Sequence, residues 1–348
     1  AIATQIILNS SLKDHYDLLH LNTKANDSLN TIGKWSIGKL FRNFSLYLKM
    51  FWILVSERPA LVLIPISQST TGYIKDFFFI AIARLTGRKV LVQLRGSNFQ
   101  NWLDESSSVI RFFVKKSLAL TQGVIVLGHN LKPLFKDIFE EKRIFVVPNG
   151  GNYELAFSVK RNNPVRILYL GNLQASKGIE DVIMAVSVID ENQLNMFHLD
   201  VVGNWRDDET RRACMKIVEG KQLSVSFHPP ASGVDKLKFL SDADIFIFTP
   251  RLPEGHPWVI VEAMAAGLPV ISTDKGAIVE SIHHRKNGFI VQAGDVTEIS
   301  KRIVELMGDK ELREKMGRES RRLYEENFTE EAMVNGLKRT FDTVIGKD

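Results

Sequence analysis

From Leu18 onward, short apolar or β-branched runs alternate with longer stretches of helical periodicity, the pattern of βαβ units folding into parallel sheets. In the first half, these runs predict strands near residues 18–21, 60–66, 89–94, 123–127 and 143–147, with helices between them. The turn-rich segment Pro148-Asn149-Gly150-Gly151-Asn152 interrupts the alternation, which restarts with runs at 165–170, 197–202, 224–227, 245–248, 269–272 and 288–291. The fold class expected is α/β, with two doubly wound, Rossmann-like domains at 1–152 and 153–328. A C-terminal helix at 329–348 is expected to return toward the first domain. Domains of this type bind ligand outside the carboxyl ends of their strands, so the active site is expected in the cleft between them. The chain opens on a helical pattern, residues 3–12, rather than on a strand. A preceding strand and loop, about 15 to 25 residues, are therefore expected before Ala1.

Composition narrows the class further. The 348 residues are 45% hydrophobic and 24% charged, with 23 Gly and 11 Pro. These ordinary globular values exclude collagen-like, disordered and mini-protein chains. The single Cys214 can make neither an intramolecular disulfide nor a multi-cysteine metal site, which fits a reducing compartment. No apolar run approaches the roughly 20 residues needed to span a bilayer, and the first 12 residues lack the layout of a secretory signal. A cytoplasmic location is the expectation.

Charge divides the chain. Residues 1–150 carry 19 Lys and Arg against 10 Asp and Glu, a net of +9, while the remainder carries −4. A basic first half suits an anionic partner such as a phosphate-bearing acceptor or membrane surface; solvated surface lysines are the plain alternative. No nucleic-acid motif is present, so no nucleic-acid partner is expected. Leu40, Phe41, Phe44, Tyr47, Leu48, Phe51, Trp52 and Val55 recur at helical spacing, with Lys39, Arg42 and Lys49 off that face. Such a stripe is the usual mark of a core-facing helix, and it is also what docking on an anionic membrane leaflet uses.

The stretch richest in chemistry runs from Pro253 to Ser272. It follows an apolar run and reads as strand, loop, helix, strand: Pro257 suits the first helical turn, the alanines favour helix, Gly267 stops it and Pro269 admits the next strand. Free N–H groups near Trp258 and Val259, added to the positive end of the helix dipole, make an anion site fit for a diphosphate without metal. Glu254 in the loop and Glu262 about one turn into the helix flank that site. Carboxylates repel phosphate, so their place beside it is to accept hydrogen bonds from hydroxyls of a sugar and a ribose.

This Pro-Glu-Gly-x-Pro-x-Val-x-x-Glu-Ala-Met-Ala-x-Gly-x-Pro-Val-Ile pattern resembles the donor-binding signature of glycosyltransferase family 4, retaining enzymes of GT-B fold that use nucleotide diphosphate sugars. Leu168-Tyr169-Leu170-Gly171-Asn172-Leu173-Gln174-Ala175-Ser176-Lys177-Gly178 is similar to that family's strand-end motif, in which an Arg and a Lys five residues later neutralise the donor diphosphate. Lys177 is present, and Asn172 stands where the Arg is expected. Further similar stretches are 147–150, 243–244, 273–280 and 286–289. The resemblance implies transfer of a hexose, with a uridine donor favoured, to a glycan or lipid-linked acceptor in polysaccharide assembly, with retention and without metal or other cofactor. It implies Glu254 and Lys177 as catalytic groups, Glu254 on the sugar hydroxyls, Glu262 on the ribose, and Gly171, Asn172, Gly255, His256, Pro257, Trp258 and Val259 completing the donor site. For His256, backbone contact is favoured over proton transfer. Asp242-Ala243-Asp244 has the form of a metal-binding Asp-x-Asp, but its position before an apolar run reads as a helix-to-strand junction.

In the first domain, residues 91–99 align with a segment where relatives often carry His-x-His-Gly; here Gln93 and Arg95 replace both histidines, ahead of Gly96. Arg95, Gly96, Ser67 and Asn149 are the candidates for holding an acceptor or phosphate, a structural ion pair being the alternative for Arg95. The family's glycine-rich loop is not in this sequence. A non-catalytic sugar-nucleotide-binding scaffold and a GT-B epimerase are the competing readings.

Overall fold

The structure is a computed structural model that describes residues 2–23, 37–155 and 163–347. The chain divides into two compact units, Ala1–Pro148 with Val334–Asp348, and Asn149–Met333.

In the first unit, β1 (Leu61–Ile66), β2 (Lys89–Leu94), β3 (Gly123–Val126) and β4 (Ile144–Val146) form a parallel sheet in that order. Val90, Leu91, Val92, Leu94, Val124, Ile125 and Val126 are fully buried, which explains near-continuous apolar runs rather than alternating ones: helices cover both faces of a parallel sheet. Residues 18–21 are a departure from expectation. They form no strand, and Leu19 is exposed. The segment has no β-branched residue, and the chain before it is tied down locally, the Tyr16 hydroxyl donating to Asp342 at 2.6 Å.

The helix Glu330–Ile345 contributes its larger part to this unit. Gly336 packs on Val147, and Lys89 Nζ donates to the carbonyls of Val344 and Ile345, each at 3.0 Å. The division falls between Pro148 and Asn149, slightly before the expected 152/153. The reason is local: the Gly151 N–H donates to Phe328 O at 3.2 Å, and Asn149 bonds to His256, which fastens the turn-rich segment to the second unit.

The second unit holds six parallel strands, β5 (Val165–Leu170), β6 (Phe197–Val202), β7 (Val225–His228), β8 (Ile245–Phe248), β9 (Val270–Thr273) and β10 (Gly288–Val291), in the order β10-β9-β8-β5-β6-β7. Successive strands run outward from β5 to β7 on one side and from β8 to β10 on the other. The order reverses between β5 and β8, which are paired through Ile167↔Ile245 and Leu168↔Phe246. A reversal of this kind opens a crevice at the carboxyl ends of the two strands, where ligands of such sheets bind. The loops leaving Leu170 and Phe248 are the two stretches that the sequence marks for chemistry.

Candidate functional site

The first of these loops is held by its own backbone. After Gly171 and Asn172, a 3-10 turn, Ala175–Lys177, ends at Gly178 in the left-handed region at φ 78°. A Cβ there would lie 1.9 Å from Thr249 O, so only glycine lets the turn rest against the end of β8. Arg251 clamps it from the other side: its N–H donates to Ser176 O at 3.0 Å, and its guanidinium donates to Asp181 Oδ2 and Oδ1 at 2.8 and 2.5 Å. The buried Tyr169 hydroxyl donates to the carbonyls of Lys177 and Asn172, at 3.1 and 3.4 Å, tying the two positions of the strand-end motif together.

The second loop is braced from β9, where Ser272 and Thr273 hydroxyls donate to Phe248 O and Pro250 O at 2.5 and 2.8 Å. The Ala277 N–H donates to Gly255 O at 2.8 Å. Pro257 caps the helix Trp258–Ala265. The N–H groups of Trp258 and Val259 have no acceptor among the described residues. Between the loops, Lys177 Nζ and Glu254 Oε1 form a short, half-buried ion pair. The sequence placed both residues at a donor site, and the fold brings them into contact.

Glu262 is buried one turn into the helix. Its Oε1 accepts from Lys236 Nζ at 2.6 Å, while Oε2 makes no well-formed hydrogen bond among the described residues, the Tyr153 hydroxyl interacting with the carboxylate more loosely. Burial raises its pKa, with Lys236 pulling in the opposite direction. A buried carboxylate oxygen this weakly held keeps capacity to accept from a ligand hydroxyl.

The structure redefines two candidates. His256 is fully engaged inside the unit: Nδ1 accepts from the Asn149 N–H at 3.0 Å, Nε2 lies 2.6 Å from Ser281 Oγ, and its carbonyl accepts from Asn149 Nδ2 at 2.6 Å. Because Nδ1 must accept from an N–H, the proton sits on Nε2 and the ring is neutral; burial lowers its pKa to about 4. The ring is thus a fastener of the loop and is occupied on both nitrogens. Asn149 likewise spends its N–H and amide on His256, so its observed role is to join the turn-rich segment to the loop that precedes the helix Trp258–Ala265.

Asp242 and Asp244 sit at the junction between the helix Gly233–Asp242 and β8. Asp244 Oδ2 accepts from the Arg166 N–H at 2.8 Å, and Asp242 lies 3.7 Å from the Arg166 guanidinium.

In the first unit, Arg95 leaves the end of β2 and donates to Gln93 Oε1 and Thr4 Oγ1, both at 3.1 Å. No carboxylate among the described residues pairs with it, and burial lowers its pKa. Nearby, Gln68 Oε1 and Ser97 Oγ are buried without partners, and Gly96 lies against the Gln68 amide. The Ser67 N–H donates to the buried Asp76 at 2.7 Å, which fixes that strand end.

The helix Ile37–Ser56 turns Met50 and Leu54 inward and leaves Phe44, Leu48, Phe51, Trp52 and Val55 exposed, Trp52 at 66%. Most of the described apolar stripe therefore faces outward rather than into the core; the side chains of Leu40 and Phe41 lie outside the described residues. Rings continue the surface: Tyr47 lies 5.4 Å from Phe78, and Phe77 4.7 Å from Phe113. Among the described residues, no helix is long and apolar enough to cross a membrane.

Sequence reasoning missed Lys236, the Arg251–Asp181 clamp and Arg206, whose guanidinium donates twice to Asn172. Lys236 looks like one of several solvated lysines, and no local signal sets it apart. Arg206 had a signal, the absence of the expected Arg at position 172.

Residues 153–323 match the family described as glycosyl transferases group 1. The chain is 24% identical over 328 residues to the capsular polysaccharide biosynthesis glycosyltransferase CapM of Staphylococcus aureus, covering 88% of this chain and 82% of that one. Among solved structures, it is similar to a glycosyltransferase from Rickettsia africae, with a TM-score of 0.74 and 16% identity over 98% of this chain and 88% of the other. It is also similar to Anabaena Alr3699/HepE in complex with UDP and glucose, with a TM-score of 0.68 and 15% identity over 86% and 82%.

Proposed function

We propose that this chain, whose residues 153–323 match the group 1 glycosyl transferases, is a glycosyltransferase of GT-B fold that moves a hexose from UDP-hexose to a hydroxyl of a lipid-linked glycan, without metal and with retention at the anomeric carbon. The observation that carries this reading is the convergence, at the sheet's reversal point, of Lys177, Glu254, the buried Glu262 carboxylate and the N-terminus of the helix Trp258–Ala265, whose first N–H groups have no acceptor among the described residues. A UDP complex of a protein with this fold and a capsular polysaccharide relative support the donor and the pathway class.

Each group has a task. As the bond from the anomeric carbon to the phosphate oxygen breaks, negative charge grows on the β-phosphate. Lys177 and the N–H groups of Trp258 and Val259 stabilise that charge more strongly in the transition state than in the ground state. This cationic cradle does the work often given to a metal, and the Asp-x-Asp carboxylates are occupied by Arg166. Glu254 accepts from sugar hydroxyls and Glu262 from the ribose. The acceptor hydroxyl attacks the face the phosphate leaves, giving its proton to the departing phosphate oxygen, and configuration is retained.

The first unit favours an anionic, lipid-linked acceptor. Arg95 is a half-buried cation without a carboxylate among the described residues, a fork that suits a phosphate or carboxylate. The exposed aromatic face lies on a helix whose charged residues are all basic, Lys39, Arg42 and Lys49, which suits the inner, anionic leaflet of a membrane. The test is an assay with UDP-glucose, UDP-galactose and UDP-N-acetylglucosamine in chelator, with and without lipid-linked glycan. Acceptor-dependent UDP release with an axial product linkage is expected. UDP-sugar turnover without acceptor indicates an epimerase, and UDP binding without turnover on any acceptor a scaffold.

A further inference from the structure

The loops leaving β5 and β6 run side by side. The Gly171 N–H donates to Val202 O at 3.1 Å, the Leu173 N–H to Asn204 O at 2.9 Å, and the Arg206 N–H to Leu173 O at 3.1 Å, with Leu173 and Trp205 forming a β-bridge. A Cβ at Gly203 would lie 1.8 Å from Gly171 O, so glycine permits the approach. The zipped loops return the Arg206 side chain to the donor loop, where Nε and one terminal nitrogen donate to Asn172 Oδ1 at 3.1 and 2.9 Å.

Three features of this contact point to a ligand. Asn172 occupies the position at which the strand-end motif has its arginine, so the site is short of one cation. Arg206 brings a guanidinium to that same position from another strand, and no carboxylate among the described residues pairs with it. Of its five N–H donors, the two bonds to Asn172 leave three unused on an exposed side chain. The Tyr169 hydroxyl bonds the carbonyls of Asn172 and Lys177 alike, so the loop segment that holds the guanidinium and the one that carries Lys177 share one buried tether.

We propose that Arg206 is a donor-binding residue that contacts the diphosphate of the nucleotide sugar in place of the missing strand-end arginine, with Asn172 as its positioning residue. The proposal rests on the donor reading above. It amounts to moving one charge from the loop after β5 to the loop after β6, with the Asn172 amide oxygen holding the planar fork in register.

The test uses the full chain and compares UDP, measured by calorimetry, with uridine, measured by NMR titration. For Arg206→Gln, UDP affinity is expected to fall about 10- to 100-fold, as for loss of a charge-assisted hydrogen bond, with uridine binding and melting temperature unchanged. Adding Asn172→Arg is expected to recover most of the loss by returning the guanidinium to the β5 loop. UDP affinity within about twofold of wild type in Arg206→Gln overturns the proposal. So does an equal loss for uridine, which assigns the contact to the base. Wild-type protein that binds no UDP overturns the donor reading itself and Arg206's role with it.

Discussion

Lys236 Nζ lies 2.6 Å from Glu262 Oε1, and the other oxygen of that buried carboxylate makes no well-formed hydrogen bond among the described residues. The pair joins the helix Gly233–Asp242 to the helix Trp258–Ala265, whose N-terminus is the proposed anion site, so its integrity bears on both stability and the proposed donor binding. Lys236→Met leaves a buried carboxylate without its cation and is expected to cost about 3 kcal/mol, read as a lower melting temperature. Lys236→Met with Glu262→Gln is expected to restore most of that stability, while UDP affinity falls below wild type through loss of the proposed ribose contact. An unchanged melting temperature in the single variant contradicts this account of the pair.

Glu254 and Lys177 form an ion pair. Glu254→Gln keeps the shape of the side chain and removes its charge. Transfer is expected to fall at least about 100-fold through lost contacts to the sugar, while UDP affinity holds or rises because Lys177 is released to the phosphates. Steady-state kinetics beside UDP calorimetry checks this. Equal loss of both points to collapse of the loop rather than a lost sugar contact.

The buried, neutral His256 sets a pH window. Its pKa falls from 6.5 to about 4 on folding, so an unfolded chain takes up a proton below pH 6.5 that the folded chain refuses. Its contribution to stability is therefore complete above pH 6.5 and is lost as pH falls toward 4, about 3 kcal/mol in all. Denaturant titrations between pH 7 and 4.5 on wild type and His256→Asn are the measurement. The wild type is expected to lose more stability over that range than the variant, and parallel curves refute the assignment.

Much of the architecture was legible, for identifiable physical reasons. The runs at 89–94, 165–170, 197–202, 245–248 and 288–291 are strands with those bounds, because strands covered on both faces are mostly apolar along their length and stop where turn chemistry begins. The prediction failed at 18–21, where apolar residues without β-branching run on irregularly. The donor loop was readable because its glycines and prolines state their backbone demands locally. What stayed hidden were pairings between distant positions: Lys236 with Glu262 across 26 residues, Arg206 with Asn172 across 34, and Asn149 with His256 across 107. Nothing near Lys236 or Asn149 specifies its partner, and for Arg206 the one signal was Asn172 in place of the expected arginine.

The aromatic face of the helix Ile37–Ser56 predicts membrane behaviour. Vesicles containing anionic lipid are expected to retain the protein at low salt and release it at high salt, since each nearby Lys or Arg contributes about 1 kcal/mol of screened attraction. Phe51→Ser with Trp52→Ser is expected to weaken retention about tenfold or more through lost apolar burial, without lowering the melting temperature, because both side chains are exposed. Sedimentation with vesicles reads both effects, and equal retention by neutral and anionic vesicles contradicts the electrostatic part.

The central claim is a metal-free nucleoside diphosphate site at the reversal point of the second sheet, built on Lys177 and the helix N-terminus at Trp258. Calorimetric titration of the protein with UDP, GDP and ADP in chelator, repeated with Lys177→Ala, tests it most directly. Saturable binding that prefers UDP, persists in chelator and weakens at least about tenfold in Lys177→Ala is the predicted result. Binding that appears only when a divalent cation is restored, or that is indifferent to Lys177, contradicts it.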